Sequence, residues 1–257
     1  MQTRACAAGW EEGAEDVECP TMDDAGRGGQ ETRAERASSP APSVLGSAMG
    51  LARLYDRHVL PSLIEVAMRQ RPIMRQREKI VPRANGRVLE IGVGSGLNLS
   101  LYDPERVERV LGVDPSSELG ARARDRASRA AVPVEVVRGG AEGLEVDTDS
   151  VDTVLMTYTL CTIPDRQAAL AEMRRVLRPD GQLLFCEHAL ADDPGVRRWQ
   201  RRITPVWSRL GGGCRLDVDV PELLRAAGFE LAELETLYLP GFRALNYNTW
   251  GVARIAG

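Results

Sequence analysis

The stretch Val88-Leu89-Glu90-Ile91-Gly92-Val93-Gly94-Ser95-Gly96-Leu97-Asn98-Leu99 decides the fold. An apolar, strand-like run enters three glycines at alternate positions, and a helix is expected from Leu97 to Tyr102. Glycines permit a tight turn with positive φ and let a ligand approach the backbone closely. Free N–H groups at the start of a following helix would favour an anionic group. The spacing discriminates between ligands. A dinucleotide fingerprint needs glycine at 97, where this chain has Leu97. GxGxG preceded by Glu90 suits a zwitterionic amino-acid tail better than a pyrophosphate, because a carboxylate can neutralise an amino group.

Outward from this loop the elements alternate. Strand-like runs are expected at Arg87 to Ile91, Arg109 to Val113, Val134 to Val137, Thr153 to Thr157 and Gln182 to Cys186. Helices are expected at Glu118 to Ala130 and Arg166 to Leu177, with a short one at Pro221 to Ala227. Such alternation implies right-handed crossovers and a parallel sheet covered on both faces. Two last strands, Glu230 to Tyr238 and Ala244 to Arg254, are joined through Pro240-Gly241 and close the sheet as a hairpin. The second strand ends in Asp114, 22 residues after Gly92, where a carboxylate can accept both hydrogens of a ribose diol. Loop and acid together, in this order, favour ligand binding over a plain turn before Pro115, although Ser116 can equally cap the next helix.

Composition bounds the remaining possibilities. Of 257 residues 43% are apolar, enough for one sizeable core. Residues 1–48 carry four basic and nine acidic side chains, a net −5, which leaves 29 basic and 28 acidic in the rest. The acidity therefore belongs to the tail, and a near-neutral body disfavours nucleic-acid binding. Residues 1–48 read as a disordered acidic extension ending in a Ser/Pro linker; a start assigned ahead of Met49 would give the same pattern. Residues 49–84 read as a helical lid interrupted at Pro61 and Pro72, and residues 85–257 as the main domain. No apolar run is long enough to span a membrane, and no secretory signal is visible. Five scattered cysteines without a CxxC pair, and two histidines 130 residues apart (His58 and His188), argue against a disulfide framework and against a metal site. A cytoplasmic location is expected.

VLEIGVGSG, GVDPS, GGAEGL, DSVDTVLMTYTLCTIPD, EMRRVLRPDGQLLFCEH and RAAGFE occur in an order that resembles class I S-adenosylmethionine-dependent methyltransferases. The resemblance covers about residues 86–255 and implies an α/β, Rossmann-like fold. That fold is a seven-stranded, mostly parallel sheet with a terminal antiparallel hairpin and helices on both faces. TLCTIPD, EHALADDP and RRWQRRITPVWSRLGGGCRLDVD are more narrowly similar to the branch that holds alkyl-thiol S-methyltransferases, close to phosphatidylethanolamine and quinone-type methyltransferases. By this resemblance Glu90, Gly92, Gly94 and Gly96 hold the methionine part of S-adenosyl-L-methionine. Asp114 binds the ribose, and Pro115 and Ser116 lie against the adenine with Ala141 and Glu142 at its edge. Relatives often read GDAE where this chain has Gly139-Gly140-Ala141-Glu142, so a carboxylate at 140 is missing and Glu142 is its available substitute. Thr157, Tyr158 and Thr159 face the sulfonium and the acceptor.

Methyl transfer from a sulfonium is a displacement at carbon, for which the protein orients and desolvates the reactants. No [DNS]PP[FY] loop and no Pro-Cys dipeptide is present, so methylation of DNA is disfavoured by motif as well as by charge. A thiol or phenol acceptor must lose a proton. His188 is the first candidate base and Tyr158 the second, against the alternatives of packing or pocket-shaping. Cys161 and Cys186 read as inert buried residues. His58 reads as a surface residue of the lid, and Asp165 as the cap of the helix beginning at Arg166. The segment Arg197 to Arg209, with Trp199 and Trp207, either covers the acceptor pocket or makes peripheral contact at the inner membrane face. The expected partner is a small-molecule or lipid-like acceptor, with a thiol as the first choice. A phospholipid amine, a quinone-type ring, a nicotinamide-dependent oxidation and cofactor binding without transfer are the competing readings.

Overall fold

The protein was analysed as a computed structural model that describes residues 59–257; the expected extension over 1–48 and His58 lie outside the described residues. Two short helices come first, α1 (Leu60–Met68) and α2 (Arg71–Ile80). Pro61 and Pro72 sit in the first turns of these helices rather than breaking them, where the missing N–H costs nothing.

The strands are β1 (Gly86–Ile91), β2 (Val107–Asp114), β3 (Val134–Arg138), β4 (Val151–Thr157), β5 (Leu177–His188), β6 (Phe229–Tyr238) and β7 (Tyr247–Ile255). They form one seven-stranded sheet in the order β3-β2-β1-β4-β5-β7-β6. β1 to β5 pair in parallel, and β7 inserts antiparallel between β5 and β6. The remaining helices are α3 (Ser117–Ala127), α4 (Arg166–Val176), α5 (Pro194–Leu210) and α6 (Val220–Ala226).

Strand alternation distributes side chains between two apolar layers. Leu89 and Ile91 of β1 join Val154, Met156 and Phe185 against Leu170 and Met173 of α4 and Leu224 of α6. Val88 points to the other layer with Val110, Leu155 and Leu184, against Ile73 and Ile80 of α2 and Ala123 of α3. The central strands are therefore buried on both faces, as parallel sheets require. The chain leaves β1 towards β2 and β3 and returns on the other side as β4. The crevice beyond the carboxyl ends of β1 and β4 is thus the topological switch point at which open α/β sheets bind ligands.

Caps explain several helix starts. Ser116 Oγ accepts the Leu119 N–H at 3.2 Å, Asp165 accepts that of Ala168, and Asp193 those of Gly195 and Val196. One expectation fails. Leu97 to Tyr102 is not a helix but a run of turns, with Gly96, Leu99 and Leu101 donating back three residues to Val93, Gly96 and Asn98. The side chains of Asn98 and Tyr102 are drawn inward to Glu90, and Gly96 at φ +82° keeps the chain out of helical geometry. No helix N-terminus therefore stands behind the glycines. No helix among the described residues is long and apolar enough to cross a membrane.

Candidate functional site: a cofactor crevice and an acceptor edge

The glycine turn is built on the end of β2. Gly92 and Val93 both donate to the Val113 carbonyl, at 2.8 and 3.2 Å. Gly92 has φ +69°, and a side chain there would begin 2.2 Å from Thr159 Oγ1, so only glycine lets the turn lie against the loop after β4. Gly94 differs. Only the Gly92 carbonyl, 3.8 Å away, lies near the place where its side chain would start, so open space adjoins its backbone.

Asp114 borders that space. Its Oδ2 accepts the Gly94 N–H at 2.9 Å and its Oδ1 accepts the Ser116 N–H at 2.8 Å. Burial raises its pKa while these two bonds oppose the rise. Each carboxylate oxygen keeps a further lone pair, so the residue can still accept from two hydroxyls. This donor set, with the opening beside Gly94, fits the ribose of an adenosyl group. Pro115 is exposed and Ser116 half-buried, its hydroxyl engaged as the α3 cap. Ala141 is buried in the core. Glu142 Oε2 lies 2.8 Å from the position a Cβ would take at Gly140, which puts its carboxylate beside the missing acid of that loop.

Behind the turn lies a buried polar network that the sequence reading only partly anticipated. Glu90, 1% exposed, accepts Asn98 Nδ2 at 2.8 Å and Tyr102 Oη at 2.7 Å. Arg77 of α2 donates to Asn98 Oδ1 and Thr157 Oγ1, and Asn98 also donates to Thr157. The Arg77 guanidinium stands 5.2 Å from the Tyr158 ring centre. Burial pushes Glu90 up to about 7, opposed by Tyr102, Asn98 and Arg77 in that order. Glu90 and Thr157 thus brace the turn from beneath, and each Glu90 oxygen, like those of Asp114, keeps a further lone pair. Arg77, Asn98 and Tyr102 were missed. The pairing of one of the three arginines of α2 with a polar residue in the glycine loop has no signature in a single sequence.

The acceptor edge is formed by the ends of β4 and β5. Tyr158 adopts φ +56° and packs edge-on against His188, with ring centres 5.1 Å apart. Its buried hydroxyl has no hydrogen-bond partner among the described residues. Burial raises its pKa far above the ordinary phenol value, so it remains a donor and a wall rather than a base. His188, half-buried, places Nδ1 3.9 Å from Cys214 Sγ. Glu187 accepts the Thr159 N–H at 2.9 Å through Oε1, and burial pushes its pKa up to about 7. Helix α5 is pinned over this edge by Gln200, which accepts the Ala191 N–H and donates to the Ala189 carbonyl. Trp207 packs inward while Trp199, Val206 and Leu210 are exposed. Cys161 and Cys186 are both buried.

The amino-terminal helices reach the same crevice. Glu65 of α1 pairs with Arg122 and Arg126 of α3, and Arg126 also donates to the Ser95 carbonyl in the glycine turn. An open cavity of about 890 Å³ lies elsewhere, lined by Thr162, Arg166, Arg215, Asp217 and Leu223, and includes neither the glycine turn nor Asp114.

Residues 89–185 match the family described as a methyltransferase domain. The chain is 32% identical over 157 residues to human thiol S-methyltransferase TMT1A, covering 60% of this chain and 64% of that protein. It is 34% identical over 128 residues to the phosphatidylethanolamine N-methyltransferase of Cereibacter sphaeroides, covering 49% and 62%. The chain thus spans a little under two thirds of the length of these relatives. Among solved structures, a possible histamine N-methyltransferase of Thermotoga maritima shares the fold at TM-score 0.57 and 23% identity, over 80% of this chain and all of that one. The 1,6-didemethyltoxoflavin-N1-methyltransferase of Burkholderia thailandensis, solved with S-adenosylhomocysteine, shares it at 0.60 and 21%, over 86% and 94%. Residues 89–185 thus carry a methyltransferase domain, and the glycine turn, the carboxylate ending β2 and the reversed last strand resemble those of class I S-adenosylmethionine-dependent methyltransferases.

Proposed function

We propose that the protein transfers the methyl group of S-adenosylmethionine to a small thiol. The observation that carries this reading is the meeting of two half-sites at the switch point. The Gly94–Asp114 opening lies on one side, and the Tyr158–His188 edge on the other, joined through the Gly92–Thr159 contact. The bound cofactor supplies an electrophilic methyl group, so the protein's task is placement, exclusion of water and handling of one proton. Asp114 holds the ribose and Glu142 the adenine edge, with Pro115, Ser116 and Ala141 around the base. Gly92, Gly94 and Gly96 shape the turn for the methionine end, which Glu90 and Thr157 brace from below. α1 and α2 close the crevice through Glu65 and Arg77. His188 keeps the acceptor sulfur in its thiolate form, and Tyr158 walls the pocket. The thiol S-methyltransferases among the relatives support this choice of acceptor.

An assay for S-adenosylhomocysteine across alkyl thiols, amines, phenols and lipids tests it. Thioether formation is expected with the thiols; turnover of amines or phenols alone refutes the thiol assignment. In single turnover, His188→Gln lowers the rate, and an unchanged rate at every pH removes His188 from the reaction.

A second reading, a lipid-like acceptor met at a membrane surface, is favoured by exposed Val59, Leu63 and Val66 at α1 and Trp199, Val206 and Leu210 on the arginine-rich α5. Flotation with anionic vesicles tests it, and absence of binding removes it.

A further inference from the structure

Cys161, His188 and Cys214 come from three separate segments: the loop after β4, the end of β5 and the turn after α5. Their ligand atoms nevertheless all lie within 4.8 Å of one another. Sequence spacing gives no hint of this, since each residue stands 26 or more positions from the next. The three segments are tied together independently of these side chains. Arg215 N donates to the Cys161 carbonyl at 3.1 Å, which fixes the Cys214 turn to the Cys161 loop. Arg166 donates to the carbonyls of Leu160 and Cys161, at 2.9 and 3.0 Å. β5 is held by β7 on its far side, with His188 opposite Asn248. Tyr158 fixes the plane of the imidazole from its edge.

We propose that Cys161, His188 and Cys214 form a zinc site whose open fourth position takes the sulfur of the thiol acceptor. Two thiolates and one imidazole are a borderline-soft donor set suited to zinc. Three protein ligands with one position left open is the pattern of a reactive rather than a structural zinc. A tetrahedral ion about 2.3 Å from sulfur and 2.0 Å from nitrogen sets its ligand atoms roughly 3.5–3.8 Å apart. Cys214 Sγ and His188 Nδ1 are already at 3.9 Å, and the cluster closes with movements well under an ångström per atom. The surroundings fit a cation. Cys161 is 1% and Cys214 9% exposed. Beside them Glu187 is fully buried, with Oε2 lacking a hydrogen-bond partner among the described residues.

The inference rests on the thiol reading and gives His188 a specific part in it. On binding the metal, the acceptor R–SH releases its proton to solvent and stays as a thiolate. Its lone pair forms the new carbon–sulfur bond, and the electron pair of the broken methyl–sulfonium bond remains on the departing sulfur. The neutral thioether is a weaker ligand and leaves.

The test begins with metal analysis of the full chain purified anaerobically after growth with zinc. About one zinc per chain is expected. Cys161→Ser, Cys214→Ser and His188→Gln should each lower the zinc content at least tenfold, and Cys186→Ala should not. Binding of S-adenosylmethionine reports whether each variant is folded. Cobalt replacement of the metal in the unmutated protein gives a measurement free of folding effects. Thiolate-to-cobalt absorption is expected, and it should shift when an alkyl thiol is added. Zinc below about a tenth of stoichiometry, or a Cys161–Cys214 disulfide in protein kept reduced, overturns the proposal. Thioether formation at an undiminished rate after metal removal overturns the metal's role while the thiol reading stands. Stoichiometric zinc without turnover of any thiol leaves the site and refutes the thiol reading.

Discussion

Replacing Glu90 with Gln should make the protein more stable at alkaline pH and leave it unchanged at acidic pH. Glu90 is buried beneath the glycine turn, and its pKa is raised from 4.5 to about 7 on folding. A carboxyl with a raised native pKa binds more protons when folded than when unfolded, so stability falls as pH rises between the two values. Below 4.5 both states are protonated and nothing is lost; above about 7 both are ionised and the loss is complete. Between pH 5 and pH 8 this amounts to roughly 2–3 kcal/mol, with 1.36 kcal/mol for each unit of pKa difference. Gln has the shape of the protonated acid and keeps an acceptor for Asn98 and a polar group for Tyr102. Urea unfolding at pH 5 and pH 8 measures the effect. The unmutated protein should lose stability between the two, with Glu187 contributing in the same direction, and Glu90→Gln should recover about half of the loss. Equal pH dependence in the two proteins would falsify the claim that Glu90 folds as a neutral acid. A lower stability of Glu90→Gln at pH 8 would show instead that Arg77 requires the carboxylate charge.

Asp114→Ala should weaken S-adenosylmethionine binding at least tenfold by calorimetry, since hydrogen bonds to a charged group contribute about 1.5–3 kcal/mol each. Gly92→Ala combines a strained φ of +69° with a Cβ 2.2 Å from Thr159, and should cost about 2 kcal/mol or more and abolish cofactor binding. Gly120→Ala, in α3 with its nearest atom 3.5 Å away on a flexible arginine, should instead raise the stability by about 0.5–1 kcal/mol. Glu65→Gln breaks the links from α1 to Arg122 and Arg126, which are partly exposed, so global stability should change by less than about 1 kcal/mol. Hydrogen exchange in α1 should nevertheless quicken and the KM for cofactor rise; unchanged exchange would show that α1 is held by its apolar contacts alone.

The sheet was legible because its evidence is local. A parallel strand buried on both faces reads as a largely apolar run, and β1, β2, β4 and β5 announced themselves in that way, while the marginal β3 was read from Val134, Val136 and Val137. Asp114 was legible for a related reason, since it ends such a strand beside the glycines. Leu97 to Tyr102 misled because its apolar spacing is helical while Asn98 and Tyr102 bond to Glu90 across the loop, a tertiary demand that outweighs local preference. Arg77 and the Cys161–His188–Cys214 cluster were illegible in the same sense. Their partners lie 21 to 80 residues away, and nothing in a strand or helix period encodes which distant loops will meet.

Among the described residues the open sheet also ends in two unpaired margins, β3 and β6, each a template on which another chain could add a strand. Both are guarded by charge. β3 exposes Glu135 and Arg138, and β6 exposes Glu230, Glu233 and Glu235, with Glu233 held across to Arg83 at 2.6 Å. Protection of β6 therefore depends on ionised carboxylates, and acidification should loosen that margin before it loosens the other. Self-association at low pH is expected to begin along β6.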